Sequence, residues 1–284
     1  MLDILGYEFM QKGLITGVII AMTCSFVGTF LVLRRYSLFG DGIAHVAFGG
    51  IAVGLFTGIF PFWTAFVVAI AGALGLQTLK QNANISGDAA VAIILTAGIS
   101  IGIVLISASV GFTVDLFSFL FGNILLIGLD EMAFIIITCA TAFIILLVIY
   151  RPLLHLTFNE EQAKVSGINT VFLNYLFVVL AAVIVVASMK LVGILLISAL
   201  IVIPNITAMM FAKNFKMTVL ISMSIAVATV VVGLIASYYL SLAPSGTIVM
   251  CVLGVFLTAL ILKSRRVFEK NTVQNSIKTE EIID

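Results

Sequence analysis

Long stretches of this chain contain no aspartate, glutamate, lysine or arginine: Gly13–Leu33, Gly42–Leu79, Ala89–Val114, Met132–Tyr150, Val165–Met189, Leu191–Ala212 and Met217–Leu262. A helix needs about 20 apolar residues to cross a bilayer. The second and last runs are about twice that length, and Pro61 and Pro244 divide them, so each reads as a helical hairpin. The pattern predicts helices over 12–33, 43–60, 62–79, 89–111, 131–150, 171–188, 191–212, 217–240 and 246–262. The segment 191–212, with Pro204 inside it, is the candidate for a broken helix. Leu116–Leu129 is too short to span and reads as a re-entrant or interfacial segment. The expected fold is all-α: a polytopic membrane bundle of eight or nine transmembrane helices. It forms one membrane domain over 1–264, followed by a short charged tail over 265–284, expected to be flexible.

Composition agrees. The chain is 62% hydrophobic and 10% charged, with a mean hydropathy of +1.30, whereas a soluble domain carries about 25% charged residues. With nine crossings, Arg34, Arg35, Lys80, Arg151, Lys164, Lys213, Lys216, Lys263, Arg265 and Arg266 all fall on one side. That side is expected to be the cytoplasm, which places the C-terminus inside and the N-terminus outside. The first helix is too long for a signal-peptide core and is expected to be retained. A net charge of +1 argues against a nucleic-acid partner. Cys24, Cys139 and Cys251 show no paired spacing and read as buried thiols.

Several chemistries are excluded by missing motifs. There is no G-x-x-x-x-G-K-[ST] loop for ATP and no H-E-x-x-H zinc-hydrolase spacing. The two histidines, His45 and His155, cannot build a multi-histidine catalytic site within one chain, and an intramembrane enzyme lacks a nucleophile near Asp41 and His45. What remains is the pair itself. Asp41 and His45 lie four residues apart, on one face of a helix. Both can ligate a metal, and ionisable groups at membrane depth mark ion paths, proton relays or partner charges. Asn205 and Asp115 are further oxygen donors that could join them. Gly40, Gly42, Gly49, Gly50 and Gly54 surround the pair and suit either close helix packing or a locally unwound backbone.

The inward loop Arg151–Thr170 contains a short helix with its own punctuation. Asn159 is suited to the N-cap, Glu160 and Glu161 to the first turn, Lys164 to an ion pair with Glu160, and Gly167 to the C-terminal cap. It reads either as a solvated connector or as a docking helix for a cytoplasmic partner. His155, just before it, reads as a surface histidine.

The blocks LVLRRYSLFGDGIAHVAFGGIAVG (31–54), FNEEQAKVSGIN (158–169) and KLVGILLISALIVIPNITA (190–208), together with FLFGNILLIG (119–128), resemble the permease subunit of bacterial zinc/manganese ABC importers. The resemblance covers the chain except its tail. It implies a permease without its own ATP site, paired with a second copy, cytoplasmic ATP-binding subunits and an extracellular metal-binding protein in a bacterial or archaeal cytoplasmic membrane. It also implies that Asp41 and His45 line the path of the transported ion, and that Asn159, Glu160, Glu161, Lys164 and Gly167 couple to the ATPase. Two copies would bring four ligands together, enough for tetrahedral zinc. The cargo expected is zinc, with manganese or iron as the alternative, and no cofactor is permanently bound. A carrier driven by an ion gradient is the reading from a different class, and it would need no docking helix.

Overall fold

A computed structural model describes residues 6–83, 85–108, 122 and 128–280. Among these, all regular structure is helical. The helices are α1 (Glu8–Leu33), α2 (Phe39–Thr57), α3 (Pro61–Ala83), α4 (Gly87–Ala108), α5 (Leu129–Val148), α6 (Tyr150–Phe158), α7 (Glu160–Val165), α8 (Thr170–Val192), α9 (Ile194–Met209), α10 (Phe215–Leu240) and α11 (Pro244–Glu280). Eight of them are long and apolar enough to cross a membrane, and the apolar stretch Leu196–Met209 of α9 is shorter. Most of the expected segment Leu116–Leu129, Asp115 and most of FLFGNILLIG lie outside the described residues.

Both predicted hairpins form at their prolines. Gly58 closes α2 in the left-handed region (φ 73°), and α3 starts at Pro61. Ser241 closes α10 at φ 52°, and α11 starts at Pro244. The proline ring fixes φ near the helical value and lacks only an N–H that a first turn leaves unbonded anyway. The predicted break in 191–212 falls at Gly193 rather than at Pro204. Gly193 has φ 80° and ψ 160°, a combination essentially confined to glycine. Pro204 sits inside continuous α9. The last helix continues through Glu280, where composition predicts a flexible tail. No proline or glycine follows Gly254 to interrupt it.

Aromatic contacts identify the two ends of the bundle. At one end, the Phe30 ring lies 5.2 Å from Phe215, 6.1 Å from Phe177 and 6.1 Å from Tyr150. Lys80 Nζ sits 4.7 Å over the Tyr36 ring there. At the other end, Tyr7 meets Tyr238 at 6.2 Å, and Phe62 meets Phe134 at 5.4 Å. Thus α1, α3 and α5 end, and α8 and α10 begin, at the end that carries Arg34, Lys80, Arg151, Lys164, Lys213 and Lys216. The chain between Thr170 and Phe215 leaves this end and returns to it. Ser188 on α8 approaches the thiols of Cys24 and Cys139, and Asn205 on α9 bonds Ser25 and Thr29. Both limbs therefore meet α1 along the same stretch, with the Gly193 bend between them. Among the described residues, eight helices long enough to span and one short returning helix fall within the expected eight or nine.

Candidate functional site: a polar pair on α2 and a capped segment at the basic end

Helix α2 begins at Phe39, four residues before the start predicted at 43, so Asp41 lies in its first turn. A carboxylate there faces the positive end of the helix dipole. His45 follows one turn later, about 6 Å along the axis, and Asp41, His45 and Phe48 are all half-buried on one side of a stretch, Phe39–Ala52, that is otherwise buried. The neighbouring glycines serve packing and leave α2 continuous. A Cβ on Gly49 would come 2.6 Å from the Gly98 carbonyl oxygen, and one on Gly98 would come 2.7 Å from Val46 Cα. α2 and α4 therefore touch backbone to backbone, which locks the rotation of α2 about its own axis.

Ser198, on α9, is the residue that sequence reasoning missed. Its hydroxyl donates a hydrogen bond to Asp41 Oδ1 across 157 residues of chain. It also lies 3.3 Å from the Ile194 carbonyl oxygen. Nothing in its sequence spacing marks it, because the contact depends on the Gly193 bend and on two glycine contacts. A Cβ on Gly28 would come 2.2 Å from the Ile201 carbonyl oxygen, and one on Gly40 would come 3.0 Å from Ile201 Cδ1. α9 is thereby clamped against both α1 and α2. Ser198, Val202 and Ile206, spaced four apart, lie along one accessible stripe of α9, and the serine joins it to the Asp41 stripe of α2.

Asn205 has a different role from the one its oxygen suggests. It is fully buried. Its Oδ1 accepts from Thr29 Oγ1 at 2.6 Å, and its Nδ2 donates to the carbonyls of Ser25 (3.0 Å) and Ile201 (2.8 Å). These partners commit the amide to holding α9 on α1. Among the described residues, no group of three or more His, Cys, Asp or Glu side chains could hold a metal. The three cysteines are free, with Cys24 and Cys139 buried and Cys251 half-buried.

At the basic end, the segment 159–168 has the predicted local form. Asn159 Oδ1 accepts from the Gln162 N–H at 3.0 Å. Lys164 Nζ lies 3.9 Å from Glu160 Oε1. Gly167 has φ 80°, and the N–H groups of Gly167 and Ile168 bond the carbonyls of Lys164 and Ala163. That pair of bonds is a Schellman closure, which requires the left-handed residue that glycine supplies. Glu160, Glu161 and Lys164 are exposed, as is His155. The segment is wired to the spans through Arg34. Its Nη2 donates to Asn174 Oδ1, and Asn174 Nδ2 donates to Glu160 Oε1 at 3.3 Å. Burial lowers the Arg34 pKa, while Tyr36 and Glu160 oppose the shift. Beside this chain of bonds lies a polar cavity of about 460 Å³, lined by residues including Gln77, Lys80 and Glu161.

The model of the ABC 3 transport family matches residues 6–263. The chain belongs to that family. It is 30% identical over 263 residues to the manganese transport system membrane protein MntC of Listeria monocytogenes, covering 93% of this chain and 94% of that one. It is 29% identical to the high-affinity zinc uptake system membrane protein ZnuB of Haemophilus influenzae, covering 91% and 99%. Among solved structures, PsaBC from Streptococcus pneumoniae in complex with Fab matches with a TM-score of 0.79 and 31% identity, covering 91% of this chain and 93% of that one. The chain is thus a multi-pass membrane permease of the ABC type, and this membership disfavours the gradient-driven carrier.

Proposed function

We propose that this permease imports a divalent transition-metal ion, with zinc as its cargo, driven by ATP hydrolysis on separate cytoplasmic subunits. The observation that carries the reading is the half-buried Asp41–His45 pair on one side of α2, in a chain whose relatives are named for metal transport. A divalent cation in a low-dielectric core needs compensating charge, which Asp41 supplies, and a ligand, which His45 supplies. One chain offers two ligands. A second copy about a two-fold axis would complete four, a number and mixture that suits tetrahedral zinc. Manganese is the second reading, favoured by the match to MntC and by the carboxylate oxygens.

The basic end faces the cytoplasm in this reading, by the excess of lysine and arginine there. The protein then lies in the cytoplasmic membrane with its C-terminus inside. Asn159, Glu160, Glu161, Lys164 and Gly167 form the docking segment for the ATP-binding subunits, and an extracellular metal-binding protein delivers the ion to the opposite end. The test is uptake of radioactive zinc and manganese into vesicles that contain the permease, its ATPase and the binding protein. ATP-dependent accumulation of zinc ahead of manganese is expected. Preferential manganese accumulation would replace the cargo, and uptake that ignores ATP would overturn the mechanism.

A further inference from the structure

We infer that Ser198 is a positioning residue for metal transport: its hydroxyl orients the Asp41 carboxylate toward the ion path. The inference rests on the proposed role of Asp41 as an ion ligand. Three observations carry it. The Ser198 hydroxyl donates to Asp41 Oδ1, which leaves Oδ2 as the oxygen able to take a cation. Both residues are half-buried on accessible stripes of their helices, so the bond lies at the edge of the open side rather than in the packed core. Finally, the backbone around Ser198 is held from two directions. Gly40 packs against Ser198 and Ile201, Gly28 packs against Ile201, and Asn205 pins the next turn to Ser25 and Thr29.

The physical need is specific. A lone carboxylate on the first turn of a helix can sample several rotamers, and only some of them point Oδ2 into the path. Hydrogen bonds to ligating side chains fix their orientation, and losing such a partner typically weakens metal affinity by about 10- to 100-fold. A serine donor suits a transport site, because it adds no charge and leaves the ion able to depart. The cargo would then be met by a carboxylate set in place by α9, the short helix beyond the Gly193 bend. Movement of α9 would alter the affinity of the path for the ion.

The experiment measures zinc and manganese binding to the purified permease–ATPase complex by equilibrium dialysis, for wild type and for Ser198→Ala, Ser198→Thr and Asp41→Asn. Ser198→Ala is expected to weaken binding of the preferred ion by about 10- to 100-fold. Ser198→Thr, which keeps the hydroxyl, is expected to restore affinity to within a few-fold of wild type. Wild-type affinity in Ser198→Ala with binding lost in Asp41→Asn would overturn this inference alone. Wild-type affinity in Asp41→Asn would overturn the proposed ion site itself. Tighter binding by Ser198→Ala would also overturn the inference, since it would make the serine a competitor of the ion. If Ser198→Ala fails to assemble, Ser198→Cys takes its place. The thiol keeps the bulk but donates weakly, and wild-type affinity in that variant would overturn the positioning role.

Discussion

At the scale of the residue, Asp41 combines two environments that rarely coincide. It belongs to the first turn of a helix, where negative charge is favoured, and it flanks an apolar run where charge is costly. Asp41→Asn removes the charge at constant size, and His45→Leu removes the imidazole at similar bulk. Each is expected to reduce metal uptake by more than about tenfold while the assembled complex remains at its normal amount. Loss of assembly together with transport would instead mark a structural pair. Gly98 offers a contrasting test. A side chain there would meet Val46 Cα and the His45 carbonyl oxygen at 2.7 and 2.9 Å, both backbone atoms that cannot step aside. Gly98→Val is expected to destabilise the permease by about 1–3 kcal/mol, seen as a lower thermal unfolding midpoint in detergent. An unchanged midpoint would show that α4 can retreat from α2 without cost.

At the scale of the element, α7 is too short to be stable by propensity and depends on its ends. Asn159 bonds the first turn and Gly167 closes the last. Gly167→Pro would force φ from 80° to near −65° and delete the N–H that bonds Lys164. This variant is expected to insert normally yet lose ATPase assembly or uncouple ATP hydrolysis from uptake. Wild-type uptake would reduce 159–167 to a connector. Asn159→Ala should be milder, at about 1 kcal/mol of local helix stability, and should lower coupling efficiency without abolishing it. The Glu160–Asn174–Arg34 bonds tie the same segment to the end of α1, and Asp41 follows Arg34 by a single short turn. Displacement of α7 therefore has a covalent and hydrogen-bonded route to the start of α2.

At the scale of the whole molecule, the Gly193 bend sets a short returning helix, α9, among eight helices long enough to span a membrane. The ends of α1, α3 and α5 and the starts of α8 and α10 share one face of the bundle, and Tyr7, Phe62, Phe134 and Tyr238 mark the other. This order makes an accessibility prediction. Cysteines placed at Lys80, Gly167 and Lys213 should react with impermeant reagents from the cytoplasmic side alone, and a cysteine at Ser241 from outside alone. Reaction of Gly167 from outside would invert the orientation and remove the docking segment from the ATPase.

The apolar runs determined that the chain crosses a membrane as helices, because hydrocarbon leaves backbone groups no other partners. The prolines at 61 and 244 determined where the hairpins turn, and the local pattern Asn159–Glu160–Lys164–Gly167 determined the capped helix, since caps act within a few residues. The same spacing put Asp41 and His45 on one face. Tertiary structure alone decided the rest. It moved the break from Pro204 to Gly193, because a glycine signals freedom in sequence but not whether the fold uses it. It turned Asn205 from a candidate ligand into a buried clamp on α1, since an amide's role depends on which donors surround it. It also brought Ser198 to Asp41, a contact between residues 157 positions apart that no local pattern encodes, because it arises only where α9 folds back between α1 and α2.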